Sequence, residues 1–126
     1  MSQFDVYENA NPETWQLTPY LLDVQADVLT DLATRVVVPL IPVSLFGKTA
    51  KHLHPEFMVK QTRVVMSTTE LAGVSNRILG HKVCSLKENQ DEIMAALDFL
   101  LSGFSFHFAE KSSADQADSR RLTNGR

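Results

Sequence analysis

Residues 35–43 read Arg35-Val36-Val37-Val38-Pro39-Leu40-Ile41-Pro42-Val43. Three β-branched side chains in succession resist helical packing and suit a pleated strand. Neighbouring strand side chains point to opposite faces, so a run of three valines asks for burial on both. Pro39 and Pro42 bring no ladder donors, and the strand has to bend, bulge or meet an edge there.

The rest of the first three-fifths also reads as strand. Phe4 and Val6 alternate with Asp5 and Tyr7, which predicts a half-buried first strand closing near Asn9-Ala10-Asn11-Pro12, a loop of turn formers. Between Tyr20 and Leu29, Leu22, Val24 and Val28 take one face and Asp23, Gln25 and Asp27 the other. Those three polar residues are expected on an outer, solvated face. A loop at residues 30–33 follows. Phe57-Met58-Val59 and Arg63-Val64-Val65-Met66 flank Lys60-Gln61-Thr62 as a short hairpin whose turn lacks the Asn-Gly signal.

A helix is predicted near residues 86–101. Ser85-Leu86-Lys87-Glu88 has the form of a capping box, with the Ser85 hydroxyl accepting from the Glu88 amide and the Glu88 carboxylate returning to Ser85. Leu86, Ile93, Leu97 and Leu100 follow 3–4 spacing as a core stripe, while Met94, Asp98 and Leu101 face outward. Gly103 suits the left-handed residue that stops the helix. Beyond Phe104, residues 111–126 carry a single large aliphatic side chain, Leu122, and the extension 105–126 is expected to be disordered.

Bulk properties narrow the function. A chain of 126 residues fits one domain. Its single cysteine, Cys84, cannot form an internal bridge, which points to a reducing cytoplasmic setting. Neither a signal peptide nor a membrane span is expected. Basic residues gather in the tail, so the body is more acidic than the net charge of −3, and direct DNA binding is not favoured. No Gly-rich phosphate loop occurs, and neither a metal nor another cofactor is expected. His52-Leu53-His54 has no third ligand nearby and reads as two solvent-facing loop histidines. Cys84 and His81 lack an activating geometry, so Cys84 reads as a lone buried thiol. Asp23 and Asp27 stand about 13 Å apart by strand rise, too far for paired acid–base work. The remaining surface is one that grips another protein, with the helix end at Ser102-Gly103-Phe104 as the working end.

Several segments resemble the CcdB toxins of bacterial toxin–antitoxin modules. They are Gln3-Phe4-Asp5-Val6-Tyr7, Leu21-Leu22-Asp23-Val24-Gln25-Ala26-Asp27-Val28-Leu29, Thr34-Arg35-Val36-Val37-Val38-Pro39-Leu40 and Met66-Ser67-Thr68-Thr69, then the helix Asn89–Leu101 closing on Gly103 and Phe104. The resemblance covers residues 1–104, with 105–126 as an extension past the family's usual end. It implies a mainly β fold with a C-terminal α-helix, an SH3-like barrel of the CcdB, MazF and Kid type, forming a homodimer. It also implies a non-enzymatic toxin that binds the DNA gyrase A subunit, traps the complex with cleaved DNA, and is neutralised by a CcdA-like antitoxin with which it represses its operon. By position, the gyrase contact would comprise Asp98, Leu101, Ser102, Gly103 and Phe104, with Val28 and Leu29 of the second strand nearby.

Three departures from the family bear on potency. Ser102 stands where the best-known plasmid member has tryptophan, Ser75-Asn76 replaces a proline-containing segment, and Phe106 and Phe108 in the tail offer cover for the contact surface. Two other readings stay open. One is an endoribonuclease of the MazF or Kid type using Arg35, Arg63, His54 and His81. The other is a non-toxic relative that binds antitoxin alone.

Overall fold

The valine run forms the middle of the sheet. The computed structural model describes residues 2–103; Phe104 and the tail expected to be disordered lie outside the described residues. Within them the chain forms β1 (Asp5–Asn9), β2 (Tyr20–Asp23), β3 (Thr34–Pro42), β4 (Glu56–Val59), β5 (Thr62–Met66), β6 (Ala72–Ser75), β7 (Leu79–Ser85) and α1 (Gln90–Ser102), with short 3-10 turns between them. All pairings are antiparallel, in the order β4-β5-β3-β2-β1-β7, with β6 also on β3. The sheet curls into a half-barrel closed by the C-terminal helix, an α+β fold of the SH3-like barrel class.

Pro39 marks a real break. On one side β3 pairs with β2 over Val37–Leu40; on the other it pairs with β6 over Thr34–Val37 and with β5 over Leu40–Pro42. In the gap between these partners the Ser67 amide donates to the Pro39 carbonyl at 2.9 Å. A strand residue's N and O point to the same edge, so the N–H that proline lacks would have faced this gap, where no ladder runs. Pro42 is the last residue of the strand.

Curling covers both faces. Phe4, Val6, Leu22, Val24, Val38 and Leu40 join β4, β5 and α1 in the larger core, while Tyr7, Leu21, Val37 and Leu79 form a second cluster behind the sheet with Val74 and Ile78. The expectation of a half-buried first strand is therefore corrected: Asp5 and Tyr7 are as buried as Phe4, all at 5% exposure. Alternation divides residues between faces but does not say which face is wet.

The hairpin at Lys60-Gln61 is a two-residue connection, Val59 pairing with Thr62. Both loop residues are left-handed, with φ of 48° and 66°, as a type I′ turn requires. The capping box is not formed as expected. Ser85 is still a strand residue paired with Asp5, and its hydroxyl accepts from the Lys87 amide at 3.2 Å instead. The chain turns through a 3-10 segment, Lys87–Asn89, before α1 begins. Ile93, Ala96 and Leu97 face the core, and Met94 packs partly against it rather than facing outward.

Candidate functional site

The helix end is built as its sequence suggests. Gly103 adopts φ 71° and its amide closes on the Phe99 carbonyl at 2.8 Å, ending α1 in a left-handed cap. Ser102 Oγ donates to the Asp98 carbonyl at 2.7 Å, the back-bond a serine makes inside a helix. Leu101 projects with 76% of its surface exposed. Asp98 is half-buried, and its Oδ2 is shielded from solvent with no hydrogen-bond partner. An acceptor left in that state is costly. Phe104 is outside the described residues.

Val28 and Leu29 are not strand residues. β2 ends at Asp23, and Asp27–Leu29 is a 3-10 turn with no buried residue. Val28 is 87% exposed, and Leu29 and Leu32 about half so. This turn and the helix end do not form one patch along the chain's own α1. Asp27 lines a shallow cleft of about 340 Å³ with Ser2, Gln3, Lys82 and Gln90 at the start of α1. Leu101 lies eleven residues on, roughly 16 Å along the helix axis.

Of the three polar residues expected on an outer face, Asp27 is exposed, but Asp23 and Gln25 are buried. Asp23 has 0% exposure and Gln25 6%. Asp23 Oδ2 accepts from Arg35 Nη2, with both side chains fully enclosed. Asp23 Oδ1 accepts from the Gln25 amide at 3.0 Å. Burial pushes the Asp23 carboxyl above its ordinary value, while the Arg35 and Gln25 hydrogen bonds pull it back. Asp5 lies on the same face, accepting from Tyr7 Oη and the Ser2 amide and pairing with Lys82 at 3.4 Å. Burial, then the charges of Asp5 and Asp23, push the Tyr7 phenol up. Register gave the only signal for this network: Asp23 faces Val37, and Arg35 lies two residues away on the same face.

Other candidates resolve simply. His54 is only partly exposed; its Nδ1 accepts from the Ala50 amide at 2.8 Å and its ring meets Phe46 edge-on, which corrects the solvent-facing expectation. His52 is exposed and lies beside the Phe99 ring of α1. Cys84 is half-buried, and burial followed by the Asp5 charge raises its thiol pKa. Among the described residues no group of three or more His, Cys, Asp or Glu is placed to hold a metal. Of the set considered for RNA cleavage, Arg35 is enclosed in its ion pair and Arg63 pairs with Glu56 at 3.3 Å. The Ser75-Asn76 segment is tied down: Ser75 Oγ accepts from the Arg77 amide, and Asn76 Nδ2 donates to the Leu32 carbonyl at 3.1 Å. No described helix is long and apolar enough to cross a membrane.

Comparison with known protein families adds a match. A family model described as CcdB protein covers residues 3–103.

Proposed function

This chain belongs to the CcdB family, toxins of toxin–antitoxin modules, and from that premise we propose that it binds the A subunit of DNA gyrase and traps the gyrase–cleaved DNA complex. In this reading it acts in the bacterial cytoplasm as a homodimer, is neutralised by a CcdA-like antitoxin, and represses its operon together with that antitoxin. A poison of this kind needs no bond-making chemistry. It needs to bind one conformational state of gyrase better than the others, and that difference in affinity shifts the population.

The observation that carries the reading is the end of α1. A large apolar side chain, Leu101, is 76% exposed there. A large apolar side chain left in solvent gains free energy when a partner covers it. Ser102 and Gly103 flank it, and Phe104 follows. Val28 and Leu29 offer a second apolar patch near the start of the same helix, and a homodimer would present both patches twice.

The test is induced expression with parallel binding measurements. Growth inhibition and accumulation of cleaved DNA are expected, both relieved in a strain whose gyrase A is resistant to this toxin class. Leu101→Ala should weaken binding to purified gyrase A by about tenfold, at the level of an ordinary hot-spot loss. Because the side chain is exposed, the melting temperature should stay put. Growth arrest that persists unchanged in the resistant strain would sink the gyrase reading.

A further inference from the structure

The turn that presents Val28 fully buries none of its own side chains, so hydrophobic packing alone does not fix its shape. Its ties are polar, and they come from the buried network beneath it. Gln25 Nε2 donates to the Leu29 carbonyl at 2.9 Å while Gln25 Oε1 accepts from the Val36 amide at 2.9 Å, clamping the turn to β3. Arg35 Nη1 donates to Thr30 Oγ1 at 3.3 Å, and its Nη2 is held by Asp23. On the other flank Asp27 Oδ1 accepts from the Gln3 amide at 2.7 Å.

We propose that the buried Asp23–Gln25–Arg35 network holds residues 26–33 in one presented shape, which makes Gln25 and Arg35 positioning residues for the apolar contact at Val28 and Leu29. The contact itself rests on the gyrase reading above; the holding of the turn does not. The physical reason is economy of order. An exposed turn left free samples many shapes, and a partner must then select one, lowering affinity in proportion to the fraction competent. Buried hydrogen bonds are stronger and more exacting than exposed ones, so anchoring the turn from inside the sheet removes that loss before the partner arrives. Side chains at 0% and 6% exposure cannot reach a partner themselves, so any effect they have on binding passes through the turn.

The experiment measures amide hydrogen exchange and gyrase A affinity on the same full-length variants. The reporters are the Leu29 and Thr30 amides, which donate to the Ala26 and Asp27 carbonyls within the turn. Thr30→Val removes the Arg35 tie from an exposed position and leaves the buried pair intact. Gln25→Met removes the clamp. Both should speed exchange at Leu29 and Thr30 by about tenfold or more while the core amides stay protected, and both should weaken gyrase A binding by several-fold. Thr30→Ser, which keeps the hydroxyl, should restore both readouts. Val28→Ala should weaken binding without changing exchange. Wild-type exchange in both Thr30→Val and Gln25→Met overturns the proposal, as does faster exchange with undiminished affinity. If the wild-type chain does not bind gyrase A, the gyrase reading falls, and the exchange rates alone decide whether the network holds the turn.

Discussion

Asp23 and Arg35 meet inside the sheet with no solvent on either side chain, and Arg35 Nε is buried there without a hydrogen-bond partner. Such a pair is weak evidence of stability, because desolvating two charges offsets much of their attraction. Breaking it is another matter. Arg35→Met should cost about 3–5 kcal/mol in chemical denaturation, since it strands a carboxylate whose ionised form burial already disfavours. Joining it with Asp23→Leu should recover most of that loss. A double variant as unstable as the single one would mean that shape, not charge, is what Arg35 contributes. The sequence shows these two residues but not their meeting. Asp23, Gln25 and Asp27 alternate with apolar neighbours as they would on a wet face; Asp27 is exposed as that suggests, and only knowledge that residues of β6 and β7 close over the other end of that face reverses the reading for Asp23 and Gln25. Composition cannot supply that knowledge, because closure of a curled sheet is a long-range event.

Single elements were far more legible. The stripe of Ile93, Leu97 and the half-buried Leu100 is visible in the spacing, and Gly103 stops α1 as its conformational freedom suggests. The helix start was less so, because Ser85 can cap or pair with Asp5, and the strand ladder wins. The hairpin was legible from its apolar flanks, though not its turn type. Lys60 and Gln61 occupy left-handed conformations that disfavour side chains carrying a Cβ. Replacing them by Lys60→Asn with Gln61→Gly should stabilise the domain by about 1 kcal/mol in thermal or chemical melts. An unchanged midpoint would show that the lysine and glutamine side chains contribute something the backbone does not reveal.

At the scale of the molecule, the two hydrophobic clusters of the described residues draw their buried members from Phe4 to Leu97. Removing residues 105–126 should therefore leave the melting temperature within about 2 °C, a result that scanning calorimetry reads directly. A larger fall would place part of the stabilising surface in the tail. The same plan of assembly separates two kinds of position. Residues 23, 25 and 35 are enclosed, and any change there disturbs the sheet. Residues 28, 29 and 32 instead turn their side chains to solvent, and buried Gln25 reaches this stretch only through the Leu29 backbone carbonyl. Substitutions on that turn are nearly free of folding consequences, so its surface can drift while the scaffold stays put. The result is a fixed frame carrying a replaceable face.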